Sequence, residues 1–359
     1  MSHADSSPSA GICIIRLSAL GDCCHVLPAL HTLRKAFPAA PITWLIGATE
    51  YRLVAGMDGV EFITFDKAAG WRGLWELRRR LRGRRFPVLL HMHASLRANM
   101  VSSVVAAQRR VGFDRARARD YQWLFSTERI AAQPRAHVCD GMLSFAAHLG
   151  ATEPVIDWAI PLPAAARQFV ADAVGPAGRV CVISPCSSQR ARNYRDWSAD
   201  RYVAVVNQLQ QNYGATVVLT GSATAIERRY ADAIQAGAAA PVIDLIGKTS
   251  IKQWAALLAA ADLVICPDSG PVHVATAFGT PVIGLYATSN PARTGPYRDP
   301  LQLTVNRYPD AVRAEFKCAV EDIRWGQRVR NPDAMALITV EDVMHRVARA
   351  WDEPAATPT

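Results

Sequence analysis

A chain of 359 residues, half of them hydrophobic and carrying a net charge of +9, is long enough for two domains and too apolar for disorder to be the default. No apolar run reaches the roughly 18 residues that span a bilayer. The eight cysteines follow neither metal-ligand nor disulfide-framework spacing and several sit in apolar runs, which reads as reduced, buried thiols of a cytosolic protein. In chain order, residues 1–10 are small and polar, with no basic stretch leading into an apolar one, so a loose tail is expected and not a signal peptide. Residues 12–17 form a short β-branched run that breaks at Ser18-Ala19-Leu20-Gly21 and turns into a helix-period pattern through Val26, Leu27, Leu30 and Leu33. Asp22 falls at this loop-to-helix junction. It either only caps the helix and offsets its dipole, or belongs to a site, because parallel-sheet folds place functional groups there.

Further strands are expected at 42–46, 62–65 and 88–92, with a helix at 94–107. Between them Arg72, Arg78, Arg79, Arg80, Arg82, Arg84 and Arg85 crowd one segment, interleaved with Trp71, Leu74, Trp75, Leu77 and Leu81. Such a basic amphipathic stretch suits an anionic membrane surface or a phosphorylated acceptor, or is a solvated helix face. No nucleic-acid-binding motif accompanies it, and nucleic acid is not an expected partner. A Pro- and Gly-rich linker is expected near 158–178. Beyond it strands at 180–184, 216–220, 242–245, 263–266 and 282–286 alternate with helices at 201–211, 225–235, 251–260 and 271–278. A last amphipathic helix covers 340–351. This alternation implies right-handed βαβ crossovers and two doubly wound α/β domains facing each other across a cleft, with ligands at the carboxyl ends of the strands.

Several chemistries drop out. The chain has no Gly-x-Gly, which removes the dinucleotide fingerprint. Gly247-Lys248-Thr249 imitates a P-loop, but Val242 stands where that loop needs glycine. His91-Met92-His93 points two imidazoles to one side of a strand without a further ligand cluster, and no Asp-x-Asp occurs, so no metal is expected. Three strand-end loops remain. The first is Ser18 to Asp22. The second is Ser184-Pro185-Cys186-Ser187-Ser188 followed by Arg190, Arg192, Asn193, Arg195 and Trp197, hydroxyls and guanidiniums of the kind a diphosphate needs. The third is Asp268-Ser269-Gly270-Pro271-Val272-His273, where Gly270 admits close backbone approach and the helix amides can hold phosphate oxygens.

Ser-x-x-Gly-Asp (Ser18 to Asp22), the Arg-x-Trp segment ending at Trp197, and Asp-Ser-Gly-x-x-His with Ala275, Gly279 and Pro281 together resemble the family 9 glycosyltransferases. These are ADP-heptose:lipopolysaccharide heptosyltransferases of GT-B fold, and the resemblance spans roughly residues 11–348. It implies a tail at 1–10, an acceptor-binding domain at 11–165 and a nucleotide-sugar-binding domain at 166–335. A final segment, 336–359, would carry a helix that packs back toward the first domain. Independently of the family, inverting transfer needs one carboxylate to take the acceptor proton, and Asp22 at a helix N-terminus would stay ionised for that. The diphosphate is already a good leaving group and needs fixed donors, which Ser187, Ser188, Arg195 and the amides from Ser269 to Val272 could supply without a metal or other cofactor.

By resemblance Arg195 stands where the family often has a phosphate-binding lysine, a departure from its pattern. Glu227 matches an acidic position for the ribose hydroxyls, against the reading of an ordinary exposed glutamate. Asp268 could fix its loop instead of touching substrate, and His273 could be a packed helix residue. Ser18, Gly21, Arg97 and Arg119 are the implied acceptor contacts. The expected activity is transfer of heptose from an ADP-sugar to an anionic lipopolysaccharide-type acceptor, Kdo or heptose, with peripheral contact to the cytoplasmic face of the inner membrane. The alternatives are a GT-B enzyme using another nucleotide sugar for a different glycan or protein acceptor, and a non-catalytic basic module for anionic lipid or nucleic acid. The sequence leaves the acceptor hydroxyl, the donor stereochemistry, the role of Cys23 and Cys24 and the oligomeric state open.

Overall fold

The structure, a computed structural model, describes residues 7–176, 178–187 and 194–352. The chain divides into two compact units, Met1–Pro161 and Leu162–Thr359. The first runs β1 (Ile12–Ile15), α1 (Leu20–Ala36), β2 (Ile42–Gly47), α2 (Ala48–Val54), β3 (Val60–Phe65), α3 (Gly70–Arg80), β4 (Phe86–His91), α4 (Leu96–Ser103), β5 (Ala107–Gly112), β6 (Glu128–Arg129) and α5 (Val138–His148). Its sheet has the order β3-β2-β1-β4-β5-β6 and every pairing is parallel. All four residues of β1 are fully buried, which a strand covered on both faces requires and which explains its unbroken apolar sequence. Leu77 of α3, Leu81 just past it, and Ala98 and Val101 of α4 pack with Cys13, Ile15, Leu17 and Leu45 on one side of the sheet. Ile12 and Ile14 point the other way.

The second unit contains α6 (Ala164–Val174), β7 (Val180–Ile183), α7 (Ala199–Tyr213), β8 (Thr216–Leu219), α8 (Ala225–Gly237), β9 (Ile243–Asp244), α9 (Ile251–Ala260), β10 (Leu263–Pro267), α10 (Gly270–Ala277), β11 (Val282–Tyr286), α11 (Pro291–Thr294), β12 (Val305–Asn306), α12 (Tyr308–Phe316) and α13 (Val340–Trp351). Its parallel sheet has the order β12-β11-β10-β7-β8-β9. In each unit the chain builds outward from a central strand in one direction, then returns to build the other way. The order therefore reverses between β1 and β4 and again between β7 and β10, the switch points where ligands of open α/β sheets bind.

Residues 158–178, expected as linker, contain α6, which packs on α9. The punctuation read as a linker instead bounds this helix: Pro163 is its N-cap, and Gly175, at φ 69°, is its C-cap. The expected helix over 94–107 shortens to α4 and gives way to β5. α13 opens with a Thr339–Asp342 capping box and buries Val343 and Val347 in the core of the second unit, beside α7. Seven of the eight cysteines are buried and Cys318 is partly exposed. Among the described residues no helix is long and apolar enough to cross a membrane.

Candidate functional site

The first constellation sits where β1 runs into α1, at the switch point of the first sheet. Arg16 leaves the end of β1 almost fully buried and satisfies three groups at once. Its Nε donates to Ser18 O (2.8 Å), one terminal nitrogen donates to Met92 O (2.8 Å), and the other pairs with Asp22 Oδ2 (2.6 Å). The loops after β1 and β4 are thereby tied together by one guanidinium. Asp22 is the third residue of α1, and its Oδ2 also accepts from the Ala19 amide at 3.0 Å, the half of a capping box that an alanine N-cap permits. Oδ1 makes no hydrogen bond among the described residues, and the side chain is 39% exposed. Burial works to raise the Asp22 pKa, but the charge of Arg16, the Ala19 amide and His25 outweigh it and hold the carboxyl well below the usual range.

Histidines line this region. His93 Nδ1 accepts from Leu17 N at 3.1 Å, and burial together with the Arg16 charge lowers its pKa to about 3, so the ring is neutral at pH 7. His91 is buried between Ala98 O, 3.1 Å from Nε2, and the Gln122 amide, with a pKa lowered by burial to about 4. The two imidazoles thus serve separate loops. Among the described residues no group of three His, Cys, Asp or Glu side chains is placed to hold a metal ion. His25, one turn along α1 from Asp22, meets His137 edge-to-face with ring centroids 5.4 Å apart, and His137 caps α5. Arg16, His25 and His137 were not singled out from the sequence, although a lone arginine closing an apolar strand was the available signal.

Ser18 lies partly exposed in the loop and Gly21 is buried at the start of α1. Arg97 and Arg119 are exposed, and neither guanidinium has a partner among the described residues. Their segments are joined: Leu96 N donates to Asp120 Oδ2 (2.9 Å) and Asn99 Nδ2 to Asp120 O (2.5 Å).

The second constellation lies at the switch point of the second sheet. Ser187 is buried after β7, and both its amide and its hydroxyl donate to Asp196 Oδ1, at 2.7 and 2.6 Å. Arg195 donates to Asp268 O at 2.6 Å and lies 3.6 Å from its carboxylate, whose Oδ2 also accepts from Ser289 Oγ at 2.6 Å. Asp268 therefore anchors Arg195 across the gap between the β7 and β10 loops. Ser269 turns its hydroxyl back to Pro267 O (2.9 Å) and leaves the start of α10 without a side-chain cap. A Cβ built on Gly270 would meet no atom within 4 Å; nothing in the protein's own packing demands glycine there. His273 is half-buried on the same helix.

Glu227 is not an exposed glutamate. It closes a capping box with Thr224 at the start of α8, accepting from Ser222 N (2.8 Å), Thr224 N (3.3 Å) and Thr224 Oγ1 (2.6 Å). A Cβ on Gly221 would come within 2.8 Å of its Oε1, so that glycine makes room for it. Ser188, Arg190, Arg192 and Asn193 lie outside the described residues. Asp196 and Ser289, which hold the loops in place, were not foreseen.

The model of glycosyltransferase family 9 (heptosyltransferase) matches residues 74–323. The lipopolysaccharide core heptosyltransferase OpsX of Haemophilus influenzae is 34% identical over 338 residues, covering 94% of this chain and 96% of its own. The crystal structure of a family 9 glycosyltransferase from Veillonella parvula superposes with a TM-score of 0.79 at 20% identity, covering 96% of this chain and 98% of its own. That of the E. coli ADP-heptose lipopolysaccharide heptosyltransferase II gives 0.70 at 19%, with 95% and 99% coverage. The fold is GT-B, with two doubly wound units, and the chain belongs to glycosyltransferase family 9, the heptosyltransferases.

Proposed function

We propose that the chain transfers a heptose from ADP-heptose to an inner-core lipopolysaccharide acceptor, Kdo or heptose, with inversion at the anomeric carbon and at the cytoplasmic face of the inner membrane. The observation that carries the mechanism is the asymmetry of Asp22. One oxygen is pinned by Arg16 and Ala19, and the other makes no hydrogen bond among the described residues. A carboxylate so held is ionised at neutral pH and presents one oriented oxygen to an acceptor hydroxyl.

As that hydroxyl oxygen bonds to the anomeric carbon, its proton passes to Asp22 Oδ1, and the bond to the diphosphate breaks with the electron pair leaving on ADP. Because a carboxylate held below its usual pKa is a weak base, the proton passes as the C–O bond forms and not before it. Arg195 and the open start of α10, Ser269 and Gly270 included, meet the charge that grows on the diphosphate, with Ser187 and Ser188 beside them. Asp268 acts through Arg195. His273 borders the same phosphates, and Glu227 keeps acceptor capacity for a ribose hydroxyl. Ser18 and Gly21 border the acceptor, while Arg97 and Arg119 hold its carboxylate or phosphate. In this reading the first unit takes the acceptor and the second the donor, with no metal in the reaction.

Asp22→Asn should fold and bind ADP as the native chain does and lose transfer by at least about 100-fold. Turnover near the native rate would remove Asp22 from the mechanism. Chelation by EDTA should leave the rate unchanged, and among ADP- and UDP-sugars only ADP-heptose should be turned over efficiently.

A further inference from the structure

We propose that the side of the first unit formed by α3, α4 and the turn at Gln122–Phe125 is a docking surface for an anionic phospholipid bilayer. α3 turns Gly73 and Leu77 inward, with Leu81 following, and leaves Trp71 and Trp75 outward. α3 adjoins α4, and α4 adjoins the Gln122–Phe125 turn. Trp71, Trp75, Leu96, Tyr121, Trp123 and Leu124 are thus carried by one run of neighbouring elements, and they are 52% to 75% exposed. Among the described residues the other large apolar side chain of this kind is Leu337, at 38%. Scattered exposed apolar residues need no explanation, but several large ones concentrated on neighbouring elements do.

The charge on this side selects the partner. Arg72, Arg78, Arg82 and Arg85 have no carboxylate partner among the described residues, and Arg79 lies over the Trp75 ring, 5.5 Å from its centroid. Of the nearby acids, Glu61 is already paired with Arg84 at 2.5 Å, and Glu76, exposed on α3 itself, offsets one of these charges and leaves the stretch strongly cationic. Tryptophan and tyrosine settle at the headgroup level of a bilayer, where each neighbouring cation adds attraction to anionic lipid. A solvated helix face would account for the arginines but not for the tryptophans between them. Arg97 and Arg119 flank Leu96 and Tyr121 on this side, so a lipid-borne acceptor would be met beside the surface that holds the membrane. The proposed reaction supplies only the setting for this inference, because docking itself involves neither donor nor acceptor.

The test is flotation of the full chain with vesicles of phosphatidylethanolamine and phosphatidylglycerol, against pure phosphatidylcholine, with neither substrate present. The native chain should bind the anionic vesicles and lose most of that binding in about 1 M salt, where the Debye length falls to roughly 3 Å. The triple variant Trp71→Ser, Trp75→Ser, Trp123→Ser should partition roughly tenfold less or weaker, while its melting temperature and its transfer to a deacylated, water-soluble acceptor stay native. Equal binding to both vesicle types, or native binding by the triple variant, overturns the proposal. So does binding that appears only when the vesicles carry the phosphorylated acceptor, and so does a native dimer that the triple variant dissociates without change in vesicle binding. Transfer to the soluble acceptor is scored separately, so a failure of docking is distinguishable from a failure of the catalytic reading.

Discussion

At the scale of single residues, Arg16 and Asp22 show how a carboxylate can be held charged and in one orientation, as the proposed general base must be. The guanidinium donates to two carbonyls and one carboxylate oxygen, so Arg16 cannot rotate away without losing a buried hydrogen bond to Met92 O, nor Asp22 without losing its ion pair. A consequence is visible in the pH profile. With its pKa depressed, native Asp22 contributes no acid limb to transfer above roughly pH 4. In Arg16→Met the cation is gone while burial, which raises a carboxyl pKa, is opposed only by the Ala19 amide and His25; the acid limb should move to higher pH and kcat should fall roughly 10- to 100-fold. A variant profile that overlays the native one would show that Arg16 does not control the charge. The place of Asp22 at the strand-to-helix junction was legible in the sequence because a strand, a glycine and a helix start are all local to it. Arg16 was not, because the carbonyl that fixes it, Met92 O, is 76 positions away.

Elements differ in the same way. β1, β10 and α10 were plain in the apolar runs and the glycine that ends them, whereas β5 was hidden by Gln108, Arg109 and Arg110, polar residues on a strand near the sheet edge. Arg109 makes two 2.8 Å bonds to Glu128 of β6, and His148 at the end of α5 adds a third at 2.9 Å. The Arg109 hydrogen bonds lead in lowering the Glu128 pKa, to about 2. A depressed carboxyl stabilises the fold fully above its unfolded value of about 4.3, and this contribution is lost as pH falls toward about 2. Glu128 is 30% exposed, so solvent screening limits the contribution to about 1 kcal/mol. Glu128→Gln should therefore melt about 2 to 4 °C lower at pH 7, with the difference from native closing between pH 4 and 2. α10 offers the complementary test. The Cβ of Gly270→Ala meets no protein atom within 4 Å, so its melting temperature should stay within a few degrees of native, while ADP affinity by calorimetry should drop roughly tenfold or more. Native ADP affinity would mean that the open space before Gly270 is not where the diphosphate lies.

For the molecule as a whole, the cysteines divide between two cores. Cys13, Cys23, Cys24 and Cys139 are buried in the first unit, Cys181, Cys186 and Cys266 in the second, and Cys318 alone is partly exposed. Burial raises the pKa of Cys13, Cys23, Cys24, Cys181, Cys186 and Cys266, so these thiols are protonated as well as inaccessible. The sequence disclosed this burial through the apolar runs around the cysteines, and the domain bounds expected at 11–165 and 166–335 divide them as the two units do. In native buffer a disulfide-exchange reagent should label one thiol rapidly, at Cys318, and all eight only after denaturation. Along a urea gradient, pulse labelling read by mass spectrometry should then show thiols appearing in sets, because each unit has a sheet and an apolar core of its own and opens as a cooperative body. The set of four and the set of three should each share a midpoint. Labelling of Cys13 well before Cys24 would contradict a single cooperative first unit, since those two residues lie on the strand and the helix whose junction holds Asp22.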